Sequence, residues 1–179
     1  DIAKGAKVIG EIGTSKNEWT KDEHKVFEAA IIAQKRTNTV IITHTTLGTL
    51  IKEQVDFFLE NGVNPKKVII SHVALSNDLD AIRYALQKGF NVAFDTIGKT
   101  KYLPDETRVQ FMKTLIQEGY MHQLLMSMDI TRQSHLKKNG GVGYAYLLDI
   151  FIPMLEQAGI SEDTITTITS KNFTEILEA

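Results

Sequence analysis

Glu11, His44, His72 and Asp129 are the residues of this sequence best suited to chemistry. Each stands at or near the C-terminal end of a different short apolar run: KVIGEIG from Lys7, VIITHT from Val40, VIISHV from Val68 and LLMSMD from Leu124. Asp95 is placed similarly in NVAFDTIG, which starts at Asn91. Taken singly, any of these could be a polar group satisfied by hydrogen bonds. Two imidazoles and two carboxylates on one rim are harder to explain that way, because burying several such groups without a compensating ion is costly. The set matches the ligands preferred by Zn²⁺, Mn²⁺ and related divalent ions. The chain has no cysteine, which excludes disulfides and thiolate zinc sites and leaves only His and carboxylates to hold a metal.

The elements that must carry these residues can be read from periodicity. The apolar runs are short, β-branched and nearly continuous, and polar or glycine-containing residues follow each one, as in strands covered on both faces. Amphipathic stretches lie between them. Thr20 and Glu23 form a capping-box pattern ahead of Val26, Phe27, Ala30 and Ile31. Leu50, Val55, Phe58 and Leu59 stripe the next helix, which should stop near Asn61 and Gly62. Asn77 is placed to cap a helix carrying Leu79, Ile82 and Leu86, and Pro104 to open one running through Phe111 and Leu115 to Gly119. The polar stretch TRQSHLKKNGGVGY follows the last run, and helices around Leu147 to Gln157 and near the C-terminus complete the chain.

Five strand–helix units in alternation predict a parallel sheet with right-handed crossovers. An open doubly wound sheet and part of a closed (β/α)₈ barrel both satisfy that pattern. A full barrel usually takes ~250 residues, so the barrel reading carries the expectation that about three units precede Asp1. In a barrel the C-terminal strand ends share one mouth, where the active sites of that fold collect.

Composition narrows the function further. At 179 residues, 42% hydrophobic and 23% charged, the chain fits one ordinary globular domain. A formal net charge of -2 offers no basic field for nucleic acid. No run reaches the length of a membrane span, and DIAKGAKVIG lacks the regions of a signal peptide, so we expect no membrane partner and a cytoplasmic location. His24, His122 and Trp19 read as surface or loop-anchoring residues.

Several motifs resemble the phosphotriesterase family of the amidohydrolase superfamily, in particular its phosphotriesterase homology proteins. They are GEIGTS (Gly10 to Ser15), THTT (Thr43 to Thr46), SHVALSNDLD (Ser71 to Asp80), FDTIGK (Phe94 to Lys99) and SMDITRQSHLKKNGG (Ser127 to Gly141). The resemblance runs in order along nearly the whole chain. It implies a (β/α)₈ barrel with two divalent metals, zinc first and manganese or cobalt as alternatives, with residues 1–179 forming its C-terminal part from about strand four to strand eight. Carried over position by position, it makes Glu11 the carboxylate bridging the two metals, where phosphotriesterases proper use a carbamylated lysine. It assigns His44 and His72 to the more exposed metal, and Asp129 to the buried metal and to proton transfer. The family's His-x-His pair on strand one has no counterpart in this sequence, as expected if the first three units are absent, and this leaves only Glu11 and Asp129 for the buried metal.

The function implied is hydrolysis of an ester or lactone, a phosphorylated sugar lactone among them, by a hydroxide activated between two ions. Phosphotriesterase or arylesterase activity is the enzymatic alternative, and a truncated, inactive metal-binding chain the non-enzymatic one. Loops after the last two strands of this fold often bind phosphate, which makes Arg132, Lys99 and Tyr102 candidates for holding the substrate. Lys137 and Lys138 read better as a solvated basic loop. The unpaired strand edges of a partial barrel lead us to expect either the missing N-terminal segment or a second copy as partner.

Overall fold

All five apolar runs become strands. The computed structural model describes residues 4–178, and its sheet comprises β1 (Val8–Thr14), β2 (Val40–Thr45), β3 (Val68–Ser71), β4 (Asn91–Phe94) and β5 (Leu124–Met126). Neighbours pair in parallel and in sequence order, β1-β2-β3-β4-β5. A doubly wound sheet would reverse its strand order partway and cover both faces with crossover helices. Here the order never reverses. The connections are α1 (Lys21–Thr37), α2 (Ile51–Glu60), α3 (Leu79–Gln87) and α4 (Asp105–Gln117). Among the described residues β1 and β5 each pair on one side only.

The two faces of the sheet separate by strand alternation. Ile41, Val68, Ile70, Val92, Phe94, Leu124 and Met126 point outward and pack against Phe27, Phe58, Ile82, Met112 and other residues of the helices in one continuous core. Each fully buried phenylalanine or isoleucine there contributes about 1.5–3 kcal/mol. Val40, Ile69, Ala93 and Leu125 point to the inner face and form a second, smaller cluster with Ile176.

Ile176 belongs to the C-terminal layer. A π-helical turn, Leu147–Phe151, leads into α5 (Ile152–Gln157); α6 (Glu162–Thr166), a second π turn and α7 (Asn172–Glu178) follow. The α7 helix closes the lower end of the inner face. Asn172 Nδ2 donates to the carbonyls of Met121 (2.8 Å) and Leu124 (2.7 Å), and buried Lys67 donates to the Ile176 carbonyl at 3.1 Å.

Local signals account for most boundaries. The Thr20–Glu23 capping box forms in full at the start of α1. Asn77 does not cap α3. It takes a left-handed conformation that ends a 3₁₀ turn, and Asp78 is the cap, its carboxylate accepting from the Ala81 amide at 2.9 Å. Both residue types suit either role, and only the turn geometry separates them. Trp19 anchors its loop as expected, but His24 is no free surface residue: it stacks on the Trp19 ring at 4.5 Å, with Phe57 edge-on to it. Among the described residues no helix is long and apolar enough to cross a membrane.

Candidate metal centre

The tops of β1, β2 and β3 bring Glu11, His44 and His72 together, and each reaches the same point by a different route. His44 needs only alternation: it shares the inner face with Val40 and Ile42. Gly13 pairs with it on β1, and a Cβ there would stand 2.9 Å from the His44 Cβ. The glycine therefore leaves room for the ring.

Strict alternation would send Glu11 outward with Ile9. A bulge prevents this, because Ile9 pairs with Ile41 while Ile12 pairs with Thr43, leaving one extra residue on β1. Bulges of this kind re-aim side chains near active sites. Gly10 makes the bulge possible, with φ at 133° and a backbone so near the Ile42 carbonyl oxygen that a Cβ would stand 2.3 Å away.

His72 also follows an outward-facing residue, Ile70. It escapes the helix layer because its backbone turns left-handed one residue past β3, at φ 60°. That conformation costs a non-glycine residue roughly 1–2 kcal/mol. Asp95 offsets the cost, with one oxygen accepting from both the His72 amide and the His72 Nδ1, each at 2.9 Å.

The three side chains meet closely. Glu11 Oε2 lies 3.3 Å from His44 Nδ1, and Glu11 Oε1 lies 3.2 Å from His72 Nε2. The imidazoles meet edge to face with centroids 4.5 Å apart. Burial alone would raise the Glu11 carboxyl, but hydrogen bonds to both histidines and their positive charge bring it down to about 2. Burial likewise favours a neutral His72, yet the hydrogen bonds and charge of Asp95 and Glu11 push it up to about 10. One ligand atom from each residue lies within 4.8 Å of the others, and together they fit a single divalent ion. The carboxylate behind His72 is the outer partner that metal-bound histidines usually have.

Asp129 stands outside this cluster. It too is left-handed, at φ 45°, and its carboxylate contacts the Lys99 ammonium. Asp129 and His72 both line two adjoining cavities. One is a cleft of about 550 Å³ at the mouth, walled by Lys99, Tyr102 and Arg132; the other, of about 400 Å³, runs down the inner face past Glu11. Arg132 is exposed and Tyr102 is 47% exposed, so both are open to a ligand. Lys99 is enclosed by comparison, committed to Asp129.

The loop that carries Lys99 and Tyr102 is fixed from below by a pair that the sequence reading passed over. Arg108, fully buried, donates to Asp105 at 2.7 Å and to the Leu103 carbonyl. Asp105 also accepts from the Gly98 amide and, at 2.9 Å, from the Tyr146 hydroxyl. An i, i+3 Asp–Arg pair early in a helix looks in sequence like any solvent-exposed pair.

The sequence profile of the phosphotriesterase family matches residues 2–177. The phosphotriesterase homology protein of Escherichia coli is 43% identical over 167 residues, which are 93% of this chain and 57% of that protein. A phospho-furanose lactonase of Mycoplasmopsis synoviae is 29% identical over 182 residues, covering 98% of this chain and 52% of its own. The crystal structure of the Escherichia coli protein, complexed with phosphate in its active site, superposes with a TM-score of 0.93 at 42% identity over 96% of this chain and 59% of that one. This chain thus spans little more than half the length of these relatives. With the matching profile, the shared parallel α/β architecture and a site whose histidines and glutamate converge as the motifs implied, the chain belongs to the phosphotriesterase family.

Proposed function

We propose that this chain supplies strands four to eight of a (β/α)₈ metal-dependent hydrolase that opens an ester or lactone, and that residues 1–179 act as the C-terminal part of that one domain. The observation that carries the reading is the Glu11–His44–His72 convergence at the C-terminal strand ends. Glu11, His44 and His72 would hold one divalent ion, zinc or else manganese or cobalt, and Glu11 with Asp129 would contribute to holding a second. When bound, the ions polarise the ester oxygen and acidify a water toward hydroxide near neutral pH. Asp129 would take a proton from the attacking water and return it to the leaving oxygen. Arg132 and Tyr102 face the mouth cleft and hold the substrate, joined by Lys99 where Asp129 turns to an ion instead, and an anionic group such as a phosphate suits these cations. A phospho-furanose lactonase and an aryldialkylphosphatase both stand among the relatives, at 29% and 32% identity, so the preference for a phosphorylated lactone rests on the cations at the cleft.

The Lys99–Asp129 contact favours a second reading, in which lysine neutralises Asp129 and the chain holds one ion without turnover. Metal content and activity together decide between them. The first reading expects zinc at the triad, loss of that zinc in His72→Ala, lactone hydrolysis abolished by chelation, and kcat lower by at least ~10²-fold in metal-loaded Asp129→Asn. One ion per chain with no hydrolysis of any lactone, aryl ester or phosphotriester, with the barrel completed by an N-terminal segment carrying the His-x-His pair, would establish the second. No bound divalent metal after reconstitution would sink both.

A further inference from the structure

We infer that Thr46 is a positioning residue for His44, a hydroxyl that fixes which ring nitrogen the histidine presents to a metal. The inference rests on the metal reading above and gives a role to a residue that the reading leaves without one. It starts from the single proton of the Thr46 hydroxyl. Thr46 Oγ1 lies 2.7 Å from the Thr14 carbonyl oxygen, which can only accept, so the proton goes there. The same oxygen lies 3.1 Å from His44 Nε2. With its proton spent on Thr14, Thr46 can only accept from that nitrogen, which must carry hydrogen. A neutral His44 with hydrogen on Nε2 has its lone pair on Nδ1, and Nδ1 is the nitrogen facing Glu11.

His72 reaches the same end with the opposite nitrogen. Its Nδ1 donates to Asp95, and Nε2 faces Glu11. The two ligands are thus set by two kinds of acceptor, a carboxylate for His72 and a neutral hydroxyl for His44.

The Thr46 bridge is itself braced. Fully buried Gln54 of α2 donates through Nε2 to Thr14 Oγ1 at 2.9 Å and to the His44 carbonyl at 3.0 Å. Both strand ends that Thr46 spans are therefore tied to one helix. A Cβ at Gly13 would stand 3.3 Å from the ring, so the glycine leaves room for the orientation in which Thr46 holds it.

Zinc affinity, measured by competition with a chromogenic chelator, tests the inference in three variants. Thr46→Val keeps the shape and loses the acceptor, and should weaken zinc by about 10–100-fold, the usual effect of removing the partner of a metal-bound histidine. Thr46→Ser should restore wild-type affinity. Thr49→Val controls for the turn itself: Thr49 Oγ1 bonds the Thr46 carbonyl and the Asn17 amide without touching the ring, and its loss should leave zinc affinity unchanged. Ring ¹⁵N NMR of the zinc-loaded wild type decides independently, even if Thr46→Val fails to fold. His44 should show hydrogen on Nε2 and metal on Nδ1. Metal on Nε2, unchanged affinity in Thr46→Val, or equal weakening in Thr46→Val and Thr49→Val would overturn the role. A wild type that takes up no zinc would overturn the metal reading beneath it, a result distinct from any of these.

Discussion

On one side of the mouth, Glu11, His44 and His72 stand within or one residue beyond β1, β2 and β3; on the other, Lys99, Tyr102, Asp129 and Arg132 ride on the loops after β4 and β5. The first half inherits its geometry from the sheet. Its ring nitrogens and carboxylate oxygens are fixed by strand pairing, one bulge and two hydrogen-bond acceptors, and metal ligands need that precision. The second half is built of side chains half-buried or exposed around an open cleft, as is usual for loops carried on a rigid scaffold. The difference teaches that the ligand cluster and the cleft wall can be altered separately here, provided the loop half keeps its own anchor. That anchor is the buried Asp105–Arg108 pair.

Breaking the anchor should have the largest effect. Asp105→Ala leaves the Arg108 guanidinium buried without its carboxylate and should cost about 3–5 kcal/mol of stability, seen as a large fall in Tm. Zinc bound per folded chain should not change, because the triad does not depend on this loop. Loss of zinc in parallel with the lost stability would show that the two halves are one cooperative unit. Arg132→Ala should be milder, raising KM about tenfold for a lactone carrying a phosphate while barely changing it for a neutral lactone. Equal damage to both substrates would remove Arg132 from substrate binding.

The smallest effect concerns pH. Burial and the hydrogen bond to Asp105 push the Tyr146 hydroxyl up to about 12, from an ordinary value of 10.0. The folded chain holds that proton more tightly than the unfolded chain, so the contribution is complete below pH 10 and is lost as pH rises through about 12. The stability gap between wild type and Tyr146→Phe should narrow across that window. Parallel curves would mean that Tyr146 takes no part in holding the loop.

Much of this was legible in the sequence because apolar periodicity and end signals act locally. All five strands, the Thr20 capping box and the positions of Glu11, His44 and His72 at or near strand ends follow from them. What stayed hidden depends on long-range pairing. Nothing near Glu11 announces a bulge whose register is set by β2, and nothing near His72 announces a left-handed residue bonded to Asp95, one residue beyond β4. Thr46 and Gln54 look like ordinary turn and helix residues until Thr14, far away in sequence, is placed between them. Arg108 reads as solvent-facing until the loop closes over it. Asp129 is marked in the sequence by its position at the end of a run, while its contact with Lys99 cannot be read from spacing.

The bulge at Gly10 also divides β1 into two reading phases. Before it, Val8 looks inward and Ile9 outward; after it, Ile12 and Thr14 face the helices while Gly13 faces His44. A saturation scan of the strand should therefore show its tolerant and intolerant positions exchange parity at residue 10. Removing one residue there would be worse than almost any substitution, since the strand would keep its apolar content while every later side chain changed sides. Length at this point is as much a part of the site as the identity of its ligands.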